Sequence, residues 1–575
     1  MAGTDGTSKR IQGLLCASAL LLPAPLAAQS TAPSREELTS ITTPPAETRP
    51  SLNVVGDVER SPCPLADPRF ADVRVTISDV QFNGLKGASP EEMRSTWAPY
   101  AGTDQPVAVL CEIRDAAATL LRNKGYLAAV QVPTQRIEGG VVRMETLFAR
   151  VTTVRARGQT DGAEAKLAAY LSKLTEDEYF DRNRAERYLL LARDLPGYNV
   201  QLTLKPAGTG PGELVGEVAV LRRRYSLDAT VQNLAADETG RWGGQLRAQL
   251  YGLTGLGDVT SLSFYSTPDF EEQKILQVAH SFRPGAEGLT LDGQFTYAWT
   301  RPDIGGDENT PDLKARTLFW TIGARYPFVR SQSSNLWGGI GFDYVDQKVD
   351  FIVPLTRDKV RVLWLRAAWD AIDLRSRRPK WRADAFLELR KGLDIFDATE
   401  SCNGICAPGV IPTSRIDGKP DAMVIRAAAS GQLALGRDLA IEISPRAQYA
   451  FDSLLAFEEF TAGNYTVGRG YDPATLSGDS GIGVRTELQG PRMLPFKRSG
   501  VTVQPYLFGD AAWIWNRNDG VGAERLTSAG GGIRAELNDR MRLDTAIAVP
   551  LEKAGFANEK GDVRLLVTLT GRILP

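Results

Sequence analysis

Alternation of apolar and polar residues begins near Arg223 and continues to the C-terminus. Leu289, Leu291, Phe295, Tyr297 and Trp299 share one face of such a segment, and Thr290, Asp292, Gln294, Thr296 and Thr300 share the other. Leu439, Ile441, Ile443, Pro445, Ala447, Tyr449 and Phe451 oppose Glu442, Ser444, Arg446 and Gln448. Val501, Val503, Leu507, Trp513 and Trp515 oppose Thr502, Gln504 and Asp510, and Met541, Leu543, Ile547 and Val549 oppose Arg542 and Asp544. A period of two puts successive side chains on opposite faces of a β-strand.

A soluble sandwich alternates as well, so three further features decide. Sixteen such segments begin near 223, 241, 257, 272, 288, 314, 334, 358, 381, 421, 438, 482, 500, 524, 540 and 562, and an even number suits a closed antiparallel barrel. Many reach about ten residues, the length a tilted strand needs to cross a bilayer. Connections alternate between short (252–256, 284–288, 329–333, 436–437, 538–539) and long (301–313, 350–357, 394–420, 452–481, 515–523, 550–561). The prediction is a mainly β chain whose residues 223–575 form a 16-stranded antiparallel transmembrane β-barrel with a polar lumen.

Upstream the period changes. Residues 72–147 read strand, helix, helix, strand, strand: 73–80 alternates, a helix opens at Pro90 after the N-cap Ser89, and Leu110, Ile113, Ala117, Leu120 and Leu121 line one face of a helix ending at Gly125. Strands at 127–132 and 141–147 complete the unit. The order repeats over 148–222, with a strand at 151–157, helices at 163–174 and 185–194, the terminator Leu195-Pro196-Gly197, and strands at 198–204 and 213–221. Two small α/β modules of ~75 residues are therefore expected, near the lower limit for an independent core. Their sheet edges suit capture of an extended peptide as an added strand, with a spacer role as the alternative.

Residues 1–28 have the form of a cleaved secretory signal: Lys9 and Arg10, an apolar run over 11–22, and a small-residue exit ending at Ala28. Residues 29–71 form a polar, Pro-rich linker. Ser34 with Glu37 has capping-box spacing, so a short helix is expected from Arg35 until Pro44-Pro45 stops it. A plugging or partner-binding role and a plain linker both fit it.

Charge and cysteine usage narrow the function. Lys and Arg number 67 against 69 Asp and Glu, which argues against nucleic-acid binding through phosphate neutralisation. The single His leaves little room for zinc or imidazole chemistry, no GxxxxGK[ST] loop is present, and no cofactor or metal is expected. Gly478-Asp479-Ser480-Gly481 echoes a serine-protease motif, but the continuation Ile482-Gly483 departs from it, and His280 shares a strand face with Val278 and Phe282. No enzyme activity is expected. With the signal removed, four cysteines remain in an oxidising compartment. Cys402 and Cys406 close a tiny loop and read as one bridge, which leaves Cys63 with Cys111; four thiolates on a metal would need CxxC-like pairs.

Several motifs together resemble the two-partner secretion transporters, the haemolysin secretion/activation class with POTRA domains and a barrel. Gln135-Arg136-Ile137-Glu138-Gly139-Gly140 is similar to the end of the family's first POTRA domain, and Cys63 and Cys111 sit where many members carry a cysteine pair. Glu186-Arg187, Leu189–Leu191 and Asp194-Leu195-Pro196-Gly197 resemble its second POTRA domain. Gln232-Asn233, Thr239-Gly240-Arg241 and Gly257-Asp258 resemble its passage into the barrel. Val467-Gly468-Arg469-Gly470-Tyr471 lies on the sixth long-side loop, where the superfamily has a Val-Arg-Gly-Phe/Tyr tip that folds into the barrel. Tyr506-Leu507-Phe508-Gly509-Asp510 resembles the strand motif whose acid pairs with that arginine, and the strand phase independently aims Asp510 at the lumen.

The resemblance implies an outer-membrane transporter with its POTRA domains in the periplasm. It would bind a large secreted exoprotein, of adhesin or haemolysin type, in extended form and pass it through the barrel without nucleotide hydrolysis. Its other partners would be outer-membrane lipid and, for its own biogenesis, the barrel-assembly machinery and periplasmic chaperones. The alternatives are an assembly factor that inserts other barrels, from the same superfamily, and a passive porin. Two departures stand out: Gly468 is an extra residue between Val467 and Arg469, and the chain ends Arg572-Ile573-Leu574-Pro575 rather than in an aromatic residue.

Overall fold

Alternating segments with one apolar face cannot close a core alone, and here they pair edge to edge until the sheet meets itself. In the computed structural model the sixteen strands are β1 (Tyr225–Gln232), β2 (Gly243–Tyr251), β3 (Val259–Ser266), β4 (Gln273–Phe282), β5 (Thr290–Thr300), β6 (Lys314–Arg330), β7 (Ser334–Asp350), β8 (Pro354–Ile372), β9 (Trp381–Gly392), β10 (Met423–Leu435), β11 (Leu439–Ala450), β12 (Ser480–Gln489), β13 (Val501–Trp515), β14 (Glu524–Leu537), β15 (Met541–Pro550) and β16 (Arg564–Leu574). Each pairs antiparallel with the next, and β16 pairs with β1, closing the barrel. The structure describes residues 32–42 and 63–574 except 211, 306–310, 377, 403–404, 497–499, 518–519, 521, 539 and 555–558. The expected signal at 1–28, the Pro44-Pro45 stop and most of the 29–71 linker lie outside the described residues.

The outer wall is apolar and exposed, with Phe295, Trp299, Ile443, Tyr449, Leu507, Trp513, Leu543 and Ile547 all pointing away from the lumen. The inner wall is buried and largely polar, with Thr296, Thr300, Gln448 and Asp510 facing inward beside one apolar patch at Tyr265, Ile275, Phe319 and Val345. This is the inverse of a soluble core, and it fits a wall solvated by lipid. The last strand closes on the first: Leu569 pairs with Val231, and Thr568 with Gln232, before a register shift between Arg572 and Leu574.

The first α/β module differs from expectation in its opening strand. Residues 73–80 split into Arg74–Thr76, which pairs with Asp104–Pro106, and Asp79–Asn83, which pairs in parallel with Val141–Phe148. The break falls at Ser78, whose amide donates to Gly140 O at 2.8 Å and so turns the chain from one sheet to the other. Ser89 and Glu92 form a reciprocal capping box, and Leu110, Ile113, Ala117 and Leu121 of the Val109–Asn123 helix fill the core.

In the second module the helix Arg182–Arg193 begins three residues before the expected 185. Asp181 accepts hydrogen bonds from the amides of Asn183 and Arg184, capping the helix at an unforeseen position. The sheet order is Arg150–Gly158, Glu213–Arg222, Tyr198–Pro206. Disulfide bonds join Cys63 to Cys111 and Cys402 to Cys406.

An occupied lumen as the candidate functional site

Two segments fill the barrel interior. The first is residues 451–479, joining β11 to β12, which turn back inside the wall. Phe460–Ala462 pairs with Leu476–Gly478 at the root of this loop, and its tip carries Val467 to Tyr471. Val467 is buried over Gly483 of β12, where a Cβ would lie 2.8 Å from the valine side chain. Gly468 has φ +114°, and a Cβ there would lie 2.5 Å from Leu526. The extra residue is thus a glycine because the chain turns there in a conformation, and a space, that favour no side chain.

That turn delivers Arg469 to the wall. Its backbone N and Nε both donate to Asp510 Oδ2 at 2.9 Å, and Nη2 donates to Oδ1 at 2.7 Å. Nη1 donates to Glu487 at 2.6 Å, and the guanidinium lies 3.8 Å from the Phe508 ring centroid. The Arg469 and Asp510 side chains are 7% and 0% exposed. Arg534 donates to both Glu487 and Asp544 at 2.9 Å, extending the network along the wall. The Tyr471 hydroxyl lies 2.9 Å from the carbonyls of both Thr527 and Glu552, and accepts from the Glu552 amide at 3.1 Å. Gly470 passes against Pro550 and Ser528 with no room for a Cβ.

The second occupant is helix α1 (Arg35–Thr42). Ser34 Oγ accepts from the Glu37 amide at 3.2 Å, the N-cap that the sequence indicates. Leu38 is buried among Tyr265, Ile275, Phe319, Val345, Leu455 and Phe457, taken from both the wall and the loop. Glu36 accepts from Arg446 at 3.1 Å, and Glu37 from Gln273 at 3.0 Å. Ala32 packs on the cluster of Leu313, Ala315 and Val349, at the end of the barrel away from the modules.

Sequence reasoning missed the group that joins these two elements. Arg390 of β9 is buried and donates to Glu458 of the loop through Nε and Nη2 at 2.8 Å, and to Asp343 of β7 at 2.8 Å. Glu388 receives Arg366, at 2.7 Å, and Arg35 of the helix, at 3.5 Å; Arg35 also lies 3.9 Å from Glu458. Alternation marks Asp343, Arg366, Glu388 and Arg390 as lumen-facing, yet cannot tell paired charges from a wet lining.

The second module docks on the barrel rim through the very residues singled out as a motif. Asp194 accepts from Arg330 Nε at 2.7 Å and Nη2 at 2.8 Å, and Glu186 accepts from the Gln332 amide at 2.6 Å. Arg187 reaches the carbonyls of Phe328 and Glu287, and Leu191 packs on Gly288. The turns at 284–288 and 331–333 therefore form part of the docking surface, with the 252–257 turn, where Gly257 lies against Leu195 and Gly252 against Gly162. The protease-like residues are not brought together: His280 lies on the outer face of β4, bonded to Thr260 at 2.9 Å, and Asp479 and Ser480 take up loop and strand amides.

The family model described as haemolysin secretion/activation protein ShlB/FhaC/HecB matches residues 218–535, more than half of the chain. The chain belongs to this family. A second model, the POTRA domain of ShlB type, matches residues 75–147. The heme/hemopexin transporter protein HuxB of Haemophilus influenzae is 20% identical over 526 residues, covering 88% of both chains. CdiB from Escherichia coli superposes with a TM-score of 0.72 at 17% identity, over 96% of this chain and 95% of that one. CdiB from Acinetobacter baumannii gives 0.64 at 17% identity, over 95% of each. This two-partner secretion transporter is thus an outer-membrane barrel with periplasmic POTRA modules, and it secretes a partner exoprotein. Membership disfavours the assembly-factor and porin alternatives.

Proposed function

We propose that the described state is the resting state, in which helix α1 and the 451–479 loop together obstruct the route of the exoprotein. The observation that carries this reading is the shared hub: Glu458 of the loop pairs with Arg390 and Arg35 of the helix with Glu388, these two wall residues pair with each other, and Arg35 also lies against Glu458. The exoprotein, of adhesin or haemolysin type, arrives extended and is held by the POTRA modules, whose outer strands Arg150–Gly158 and Tyr198–Pro206 each pair on one side only. It then displaces α1, while Arg469 and Asp510 keep the loop tip on the wall. Folding of the exoprotein outside removes it from the translocation equilibrium, so no nucleotide is required and the protein performs no catalysis. The barrel itself reaches the membrane through periplasmic chaperones and the barrel-assembly machinery.

Depletion tests the reading. Loss of one surface exoprotein, with other outer-membrane barrels at normal abundance, is the expected result. A general fall in barrel proteins contradicts it.

A further inference from the structure

One row of outward-facing residues crosses five strands: Lys274 on β4, Trp299 on β5, Arg316 on β6, Lys348 on β7 and Arg357 on β8, each the register partner of the next. On the module side of this row the same strands carry Val278, Phe295, Ile322, Ile340 and Leu363, all exposed to lipid. The row therefore marks the extracellular border of the apolar belt.

Among the described residues its charges are not all paired. Arg316 stands directly opposite Lys348, and Lys348 directly opposite Arg357. Side chains at opposed positions are about 5 Å apart, and like charges there repel. Arg357 is compensated by Asp346 at 3.0 Å, and the nearby Arg301 and Lys314 share Asp312. Among the described residues Lys274, Arg316 and Lys348 have neither an ion-pair nor a hydrogen-bond partner. Three uncompensated cations around an exposed Trp, at the edge of a lipid belt, call for an anion held at headgroup height.

We propose that this row binds the phosphate groups of the phosphorylated glycolipid in the outer leaflet. Arg316 and Lys348 straddle one phosphate, with the guanidinium fork supplying two parallel donors and the ammonium a point charge. Lys274 approaches from the other side of Trp299, whose amphipathic ring lies between acyl chains and sugar. The lipid thus caps a repulsive stretch of wall on β4 to β8 and clamps the strands that carry Asp343 and Glu388's partner Arg366 on the inside.

The test uses the full-length protein in detergent, incubated with lipopolysaccharide or with the same lipid stripped of its lipid A phosphates, and measures the lipid retained after gel filtration. The wild type should retain the phosphorylated form, and the dephosphorylated form about tenfold more weakly. The double variant Arg316→Ala/Lys348→Ala should lose about tenfold in retention of the phosphorylated form while its heat-modifiable gel migration shows a folded barrel. Should that variant not fold, the single Lys274→Gln should weaken retention about threefold, and unchanged retention overturns the assignment. Equal retention of both lipids, or by wild type and variant, overturns it too. So does a variant that keeps the lipid and loses secretion, because the row would then be a contact for the emerging polypeptide.

Discussion

Arg469 and Asp510 meet through three hydrogen bonds on the buried inner wall, 41 residues apart in sequence. Asp510→Ala would leave the guanidinium with Glu487, which Arg534 already occupies. Breaking a buried pair from one side costs about 3–5 kcal/mol. The variant should fold, lose secretion, and show raised conductance in planar bilayers as the loop tip leaves the wall. Wild-type secretion and conductance would remove the latch.

Arg469→Lys separates charge from geometry. An ammonium cannot reproduce the fork onto both Asp510 oxygens, the Glu487 bond and the contact with Phe508. Secretion should fall about tenfold or more despite the retained charge, as measured by exoprotein in the medium.

How much of this was legible beforehand differs by element. The sixteen strand starts could be read because each segment's periodicity is a local property, and Trp381 and Glu524 begin their strands at the expected positions. The Arg469 and Asp510 positions followed from motif resemblance and strand phase. Helix α1 could be read through Ser34, but its place in the lumen could not, since Leu38 is buried by residues more than 200 positions away. The Arg390 hub was invisible for the same reason. Alternation puts Asp343, Glu388 and Arg390 inside, but their pairing depends on barrel register and on a loop that returns from β11.

The Asp194–Arg330 pair should fix the second module under one side of the barrel, both side chains being 9% exposed. Arg330→Asp should free the module, making the segment between Arg222 and Tyr225 more sensitive to protease and reducing secretion. The swap Asp194→Arg/Arg330→Asp should restore part of both. Equal sensitivity of all three proteins would show that docking rests on other contacts.

Leu38→Asp tests the helix. Burial of a leucine stabilises by about 1.5–3 kcal/mol, and a carboxylate among Tyr265, Ile275 and Phe457 reverses that gain. Conductance should rise with the loop still latched, and the further change Asp510→Ala should raise it again. An unchanged channel would mean that α1 does not obstruct it.

The two disulfides should differ in worth. The 48-residue separation of Cys63 and Cys111 predicts about 4 kcal/mol from loop closure, against about 2 kcal/mol for Cys402 and Cys406, which are four apart. Cys63→Ala should therefore make the first module markedly more sensitive to urea, and Cys402→Ala should leave the barrel's heat resistance nearly unchanged.

The most direct measurement locks the helix in place. Glu37→Cys and Gln273→Cys replace two residues that share a 3.0 Å hydrogen bond, and the cysteines at 63, 111, 402 and 406 are already paired. With a short bismaleimide joining the two new thiols, secretion of the exoprotein should stop, while the same variant without cross-linker secretes normally. Undiminished secretion through the cross-linked barrel would contradict a route through this lumen.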